Sequence, residues 1–145
     1  MGKLEEAIIL ATQAHAGQVD KGGAPYIFHP LRVMMAMTSE QDRIVAVLHD
    51  VVEDSDYELT NIASQFGVAV YDAVDALTRR DGETYEAFVE RCSKNTTARR
   101  VKLADLADNM DLKRLGRDPT AEDARRFHRY NSARAYLTTF GDDHD

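Results

Sequence analysis

The sequence predicts an all-α fold, because apolar residues recur at helical spacing along most of the chain and no segment alternates like a half-buried strand. The chain has 145 residues, of which 43% are hydrophobic and 30% charged, as expected for a globular domain with one hydrophobic core. No internal repeat or linker divides it. We therefore expect a single helical domain over residues 1–140 and an acidic, flexible tail over residues 141–145.

The first half of the chain predicts three helices. Apolar residues at helical spacing predict a first helix, which ends before a glycine-rich loop over residues 17–24. Pro30 suits the first turn of a second helix, where its missing N–H has no partner to lose. Ser39, with Asp42 three residues later, resembles a capping box and predicts a third helix that extends to Val51.

The second half predicts further helices, each with a recognisable boundary. A short helix is expected to end at Gly67, because glycine readily adopts the positive φ of a helix C-terminus. Thr120, with Asp123 three residues later, predicts the start of the last helix. The remaining helices are expected over residues 70–77, 85–89, 98–115 and 120–140.

Charge and composition exclude several classes of partner. The net charge of −7 argues against nonspecific binding to duplex nucleic acid or to an anionic membrane, and no apolar segment is long enough to span a bilayer. A small phosphorylated ligand remains compatible with this charge, because a metal ion and local cations reverse the field inside a cleft. The single Cys92 suits a reducing compartment, so a cytoplasmic location is expected. The oligomeric state stays open.

A His-Asp pair at the end of an apolar run is the most informative feature of the chain. His49 and Asp50 follow the apolar segment 44–48, so we expect them to point into or beside the core. Such a pair offers one metal ion both a nitrogen and an oxygen ligand. Glu53 lies one helical turn past His49, and Asp54 is adjacent to it. The segment can therefore hold a divalent ion beside a free carboxylate, the minimum needed to activate water.

Two further residues complete a candidate ligand set. His29 stands at the start of the second predicted helix, and Asp105 lies in an apolar neighbourhood that penalises an unpaired charge. Taken singly, such a histidine is more often a cap or a buried hydrogen bonder, and such an aspartate is more often solvated. One shared metal ion satisfies polar groups from three helices together. Two histidines and two carboxylates suit Mn²⁺, Fe²⁺ or Zn²⁺ better than Ca²⁺.

Five motifs resemble the HD-domain phosphohydrolases, and more closely the hydrolase domain of the RelA/SpoT group in its small stand-alone form. They are AHAGQ at 14–18, KGGAPYIFHP at 21–30, LHDVVED at 48–54, VKLAD at 101–105 and NM at 109–110. The resemblance implies an all-α HD-domain bundle with a metal site between helices. It also implies that four residues bind Mn²⁺, or Zn²⁺ as in some animal members: His29, His49, Asp50 and Asp105.

The family removes pyrophosphate from the 3′ position of guanosine tetra- or pentaphosphate, so the resemblance implies a small-molecule nucleotide substrate. Glu53 is the candidate to orient or deprotonate the attacking water. Asp54 is the candidate for the general acid or for a supporting role. Which carboxylate has which role is left open, and without the metal ligands we would interpret segment 53–56 as an acidic turn.

Four residues are candidates for binding the substrate. Lys21, in the glycine-rich loop, suits a phosphate contact, and Lys102 is a weaker candidate of the same kind. Asn109 lies one turn beyond Asp105 and faces the same side, and the matching asparagine contacts nucleotide in the family. Tyr130 is equally compatible with a nucleoside pocket and with a core position.

Four positions depart from the family pattern, although the metal ligands and the Glu-Asp pair are intact. Asp20 stands where an arginine that contacts guanine usually precedes the loop lysine, so it disfavours a guanine-stacking cation and suggests hydrogen bonds from a different base. The other three departures are Leu106 for arginine, Asp108 for histidine and Leu112 for threonine.

These departures leave three hypotheses open. The first is a metal-dependent hydrolase of the guanosine alarmones. The second is a hydrolase of another nucleotide, such as a nucleoside phosphate or NADP. The third is a non-catalytic nucleotide sensor, against which the intact Glu53 and Asp54 argue, because a pure binder needs no carboxylates to activate water.

Overall fold

The computed structural model describes residues 1–141, and the predicted tail from residue 142 onward lies outside this range. Within the described residues the chain forms helices and no strand; a single bridge joins Val19 and Pro25 in the glycine-rich loop. The all-α prediction is confirmed. The α-helices are Lys3–Ala14 (α1), Phe28–Met35 (α2), Glu40–Leu48 (α3), Val51–Asp54 (α4), Leu59–Phe66 (α5), Val68–Ala76 (α6), Tyr85–Ser93 (α7), Thr96–Asn109 (α8) and Ala121–Thr138 (α9), with a 3-10 helix at Leu112–Leu115.

Helix α3 lies at the centre of the main core. Its residues 45–48 are completely buried, because the C-terminal half of this helix is apolar on every side. It packs against α1 and α2 on one side and against α6 and α8 on the other. The end of α3 is therefore enclosed, and His49, the next residue, is only 2% exposed.

A second apolar cluster fixes α9 over α7 and α8. Leu106 of α8 is fully buried against Val89 of α7 and against Ala133 and Leu137 of α9. Tyr130 packs at the edge of the same cluster. The departure of Leu106 from the family pattern thus has a structural consequence, since this leucine holds α9 beside the C-terminal half of α8.

Three of the predicted helix boundaries are confirmed in atomic detail. The Ser39 side chain accepts a hydrogen bond from the Asp42 amide, and Gly67 has a φ of 96°. The capping box of α9 is complete, with Thr120 and Asp123 each accepting a hydrogen bond from the other's amide. The Asp42 carboxylate instead binds Arg100, so the third helix has the serine cap without the reciprocal bond.

Two predicted helices are shorter than expected. The long helix over residues 98–115 is wrong in its last turn, because α8 ends at Asn109 and Asp111 caps a separate 3-10 helix with its side chain. The helix predicted to reach Val51 ends at Leu48. There the His49 amide bonds to the Ala46 carbonyl in a 3-10 turn, so His49 and Glu53 do not share one uninterrupted helix.

No helix among residues 1–141 combines the length and the apolar character that crossing a membrane requires.

Candidate metal centre and adjoining cleft

The four predicted metal ligands meet at one point between α2, α3 and α8. One ligand atom from each lies within 4.8 Å of the corresponding atoms of the others. Asp105 Oδ1 lies 2.8 Å from His29 Nε2 and 3.2 Å from His49 Nε2, and Asp50 Oδ2 lies 3.1 Å from His49 Nε2. These residues come from helices far apart in sequence, and the fold alone brings them together.

The outer nitrogens of both histidines are already occupied. His49 Nδ1 donates to the Ala46 carbonyl oxygen at 2.6 Å, and His29 Nδ1 lies 2.6 Å from Asp108 Oδ2. Because Nδ1 donates in these bonds, each Nε2 points at the centre and can offer its lone pair to a metal ion once its proton is displaced. Two imidazole nitrogens and two carboxylate oxygens that converge in this way fit a divalent transition-metal ion.

Neighbouring side chains hold the two carboxylates in place. Asp105 Oδ2 accepts from the Lys102 ammonium at 3.0 Å, and its Oδ1 accepts from the Asn109 amide at 3.2 Å. The Tyr26 hydroxyl donates to Asp50 Oδ2 at 2.5 Å. Each carboxylate is therefore oriented before any ion binds.

Opposed charges dominate the electrostatics of the centre. Burial lowers the pKa of His49, but Asp50 and Asp105 raise it well above its ordinary value. Burial raises the pKa of Asp50, but the charge of His49 lowers it to about 2. Burial also opposes ionisation of Asp105, and the Lys102 charge outweighs it to hold that pKa far below its usual range. The cluster thus has two ionised carboxylates that attract positive charge, supplied either by protons on the histidines or by a metal ion.

Glu53 and Asp54 lie beside this centre in α4. Burial raises the pKa of Glu53, and the charges of Asp50 and Asp54 add to that rise, although the Arg79 amide opposes it by donating to Glu53 Oε1 at 2.5 Å. Burial and the charge of Asp50 also raise the pKa of Asp54. A carboxyl group with a raised pKa is better matched to proton transfer near neutral pH.

A cleft with two lobes opens over the ligands. The inner lobe, about 210 Å³, is lined by His49, Asp50 and Asp105 together with Glu53. The outer lobe, about 380 Å³, lies between the glycine-rich loop, the 3-10 helix and α9. The two lobes share three lining residues: Tyr26, Asn109 and Tyr130.

The structure places all four predicted substrate-binding residues in this cleft. Lys21 lines the outer lobe and Lys102 the inner lobe, while Asn109 and Tyr130 stand where the lobes meet. Tyr130 is only partly buried, so it reaches the cleft while packing at the edge of the second cluster. The Lys102 ammonium is bound to Asp105, so this lysine is in direct contact with a candidate metal ligand.

Asp108 and Arg114 form an ionic network behind the centre; sequence reasoning noted Asp108 only as a departure from the family pattern and missed Arg114. Asp108 contacts His29 Nδ1, Arg32 Nε and Arg114 Nη1 at 2.6–2.7 Å. Arg114 also reaches Asp20 in the glycine-rich loop, at 3.3 Å. No local signal marks these pairs, since 79 residues separate His29 from Asp108 and 94 separate Asp20 from Arg114.

Asp20 organises the glycine-rich loop. Its Oδ1 accepts from the amides of Gly22 and Ala24, both at 2.9 Å, and its Oδ2 faces Arg114. Gly22 is required at its position, because an added Cβ would lie 2.0 Å from the Arg114 carbonyl oxygen. Both carboxylate oxygens of Asp20 are thus engaged within the protein, and its partner Arg114, which also pairs with Asp108, lines the same outer lobe.

Comparison with known proteins agrees with this architecture. A profile of the HD domain family matches residues 7–126. A solved structure of a metazoan ortholog of SpoT, described as hydrolysing ppGpp, superposes with a TM-score of 0.76 and covers 94% of this chain and 85% of that one. Its sequence identity is 24%, so this likeness establishes the fold.

Curated relatives share more of the sequence. The chain is 32% identical over 125 residues to a probable GTP pyrophosphokinase of Mycobacterium leprae, with 77% of this chain and 16% of the relative aligned. It is 30% identical over 122 residues to a guanosine-3′,5′-bis(diphosphate) 3′-pyrophosphohydrolase of Vibrio cholerae, with 74% of this chain and 17% of the relative aligned. The chain thus spans about a sixth of the length of these relatives. Its helical bundle, its converging ligands and the matching profile establish that the chain belongs to the HD domain family.

Proposed function

We propose that this chain is a metal-dependent pyrophosphohydrolase that removes the 3′-pyrophosphate of guanosine 3′,5′-bis(diphosphate). The observation that carries the proposal is the convergence of two imidazole nitrogens and two carboxylate oxygens at the floor of a two-lobed cleft. Curated relatives from Vibrio cholerae and Haemophilus influenzae are named for this activity, which supports the choice of substrate.

In this proposal His29, His49, Asp50 and Asp105 hold one divalent ion. Mn²⁺ is the proposed ion, with Zn²⁺ and Fe²⁺ as alternatives, since the mixed nitrogen and oxygen donors suit all three. When bound, the ion supplies Lewis-acid polarisation of a phosphate oxygen and makes water more acidic. Lys102 and Asn109 orient Asp105, and Tyr26 orients Asp50.

Glu53 and Asp54 would share the proton transfers. Water attacks the phosphorus attached to the 3′ oxygen, and the bond between that phosphorus and the 3′ oxygen breaks. The products are pyrophosphate and guanosine 5′-diphosphate. Glu53 takes the proton of the attacking water, and the leaving 3′ oxygen receives a proton from Asp54. The raised pKa of Asp54 suits a proton donor, and the Arg79 amide holds the Glu53 carboxylate toward the inner lobe.

The outer lobe would hold the nucleoside and its 5′ phosphates. Lys21 and Arg126 line it as cations, and Phe127 and Tyr130 present aromatic rings 6.5 Å apart for base stacking. Asn109 stands at the junction of the lobes, where the sugar connects base to phosphate. Residues 1–140 would work as one domain on this small molecule, in the cytoplasm and without nucleic acid or membrane.

A second candidate is hydrolysis of another phosphorylated nucleotide, such as a nucleoside phosphate or NADP. The loop carries Asp20 instead of a free cation, and this carboxylate pairs with Arg114, which also lines the outer lobe. Base recognition is therefore built from different groups than in the family pattern. This observation leaves the base open while it preserves the reaction at phosphorus.

The test is a phosphate- and pyrophosphate-release screen with Mn²⁺. It includes guanosine 3′,5′-bis(diphosphate), oxidised and reduced NADP, and nucleoside mono-, di- and triphosphates. We expect pyrophosphate release from the first compound, and loss of that release in Asp50→Asn. Release from a different nucleotide alone would support the second candidate. High-affinity nucleotide binding with no turnover on any compound would instead identify a nucleotide sensor.

A further inference from the structure

Tyr85 presents a buried hydroxyl group that has no hydrogen-bond partner within residues 1–141. It is the first residue of α7, and it lines the inner lobe together with His49 and Asp105. Buried polar atoms in folded proteins nearly always have partners, because an unmet hydrogen bond in the interior is destabilising. This O–H has no acceptor among the described residues, and Tyr85 lines the inner lobe, where a ligand can supply one.

Three cations surround the ring of Tyr85. The Arg129 Cζ atom lies 4.7 Å from the ring centroid, the Lys102 Nζ atom 5.7 Å and the Arg79 Cζ atom 5.8 Å. Aromatic rings attract cations through their quadrupole without neutralising them. Tyr85 therefore gathers positive charge at the inner lobe and leaves it available to a ligand.

The charge of two of these cations is not balanced locally. Lys102 is paired with Asp105, but Arg79 and Arg129 make no ion pair with any carboxylate in the described part of the chain. Both arginines are exposed, and both line the inner lobe. Two uncompensated guanidinium groups beside one cavity are notable in a chain whose net charge is −7.

The place of Arg79, Tyr85 and Arg129 beside the candidate metal-binding residues indicates what kind of molecule they would bind. The inner lobe is lined both by the acidic candidate ligands Asp50 and Asp105 and by Arg79, Tyr85 and Arg129. A guanidinium fork and a phenolic O–H together match the several acceptor oxygens of a phosphate group. Arg79 is also connected to the reaction centre, because its amide donates to Glu53 Oε1.

We propose that Arg79, Tyr85 and Arg129 form a subsite for the terminal phosphate of a substrate's diphosphate group. The inference rests on the proposed function, since the metal side of the lobe takes the phosphate that is attacked. The cationic side takes the next phosphate along. The subsite thereby distinguishes a 3′-diphosphate, which fills both positions, from a 3′-monophosphate, which fills one.

The first test compares kcat/KM for guanosine nucleotides that carry a 3′-diphosphate or a 3′-monophosphate. We expect the native protein to prefer the diphosphate. Tyr85→Phe and Arg129→Gln should each reduce that preference by about tenfold, mainly through KM, because each loses one hydrogen-bonding group for a charged phosphate. Arg125→Gln is the matched control, since Arg125 is an exposed arginine of α9 outside the cleft lining. A preference unchanged in both subsite variants would overturn the proposal.

The second test measures binding without turnover. Inorganic pyrophosphate and orthophosphate are titrated calorimetrically into chelator-treated, dialysed protein. We expect pyrophosphate to bind more tightly than orthophosphate, and Arg79→Gln and Arg129→Gln to weaken it at least fivefold while Arg125→Gln does not. Equal pyrophosphate affinity in all variants would refute the subsite. If the native protein hydrolyses nothing but binds pyrophosphate as described, the hydrolase proposal fails and the subsite stands.

Discussion

At the scale of single residues, the two ring nitrogens of His29 have different partners and different consequences. Nε2 faces the metal centre, and Nδ1 faces Asp108. Burial opposes ionisation of Asp108, but bonds from His29 and Arg32 lower its pKa to about 2, so it stays an anion at neutral pH. An anionic acceptor fixes the ring orientation and makes Nε2 a better ligand.

We expect Asp108→Asn to weaken Mn²⁺ binding by about 10- to 100-fold, because the amide oxygen still accepts from Nδ1 but carries no charge. Isothermal titration calorimetry with Mn²⁺ measures the affinity. Asp72→Asn is the control, since Asp72 is an exposed residue of α6. Metal affinity equal to that of the native protein would show that Asp108 only braces Arg32 and Arg114.

Glu53→Gln separates metal binding from catalysis. The glutamine oxygen can still accept from the Arg79 amide, so the local geometry should persist, whereas the proton acceptor is lost. We expect full metal content and turnover lower by about 10²- to 10⁴-fold. Metal analysis and a pyrophosphate-release assay check both parts, with Glu58→Gln as the control. Retained turnover would remove Glu53 from the mechanism.

At the scale of elements, Arg91 of α7 fixes the segment between α6 and α7, which contains Arg79. Its guanidinium donates to the Asp75 and Thr78 carbonyl oxygens at 2.9 and 2.8 Å, and it forms two bonds of 2.9 Å to the Glu83 carboxylate. The end of α6 and the start of α7 are thereby joined by one side chain. The position of Arg79 beside Glu53 and Tyr85 depends on this joint.

This joint predicts an acid-sensitive contribution to stability. The bond from Arg91 lowers the pKa of Glu83 to about 2, below its ordinary value of 4.5. A carboxyl group whose pKa is lowered in the folded state stabilises the fold at pH values above its ordinary pKa. That stabilisation disappears as the pH falls toward 2. Glu83→Gln should cost about 1 kcal/mol at pH 7, with a difference from the native protein that shrinks below pH 4.5. Urea unfolding at pH 7, 5 and 3.5 measures it, and a difference that does not change with pH would contradict the assignment.

At the scale of the whole molecule, the metal centre joins helices that are distant in sequence. His29 lies in the first turn of α2, His49 and Asp50 follow α3, and Asp105 belongs to α8. An ion bound to all four would connect these helices in the folded state only, because an unfolded chain does not bring the ligands together. Metal binding should therefore appear as global stability.

We expect Mn²⁺ at one hundred times its Kd to stabilise the fold by about 2.7 kcal/mol and to raise Tm by roughly 10 °C relative to the chelated protein. Thermal unfolding with and without chelator measures the shift, and Asp50→Asn serves as the ligand-deficient control. The chelated protein should remain folded at 25 °C, since its main core contains no ligand. An unchanged Tm would show that the cluster does not hold the ion.

Much of this molecule follows from local sequence patterns. Periodicity places the helices, and short-range side-chain bonds at Ser39 and Thr120 start two of them as predicted. The apolar flanks of His49 and Asp105 predict buried ligands, because an unpaired polar group in such a setting is costly. Asn109 faces Asp105 since it lies one turn on along the same helix.

Other features depend on contacts that no local pattern encodes. The packing of the helices decides the break after Leu48, the bond that His29 donates to Asp108, the contact of Arg114 with Asp20 and the cations around Tyr85. The sequence alone determined most of the helices and singled out the four candidate ligands, because helical periodicity and the apolar flanks of His49 and Asp105 are local features. Only the tertiary structure decided which charges meet behind the metal and across the cleft, because those distances are set by packing between segments far apart in the chain.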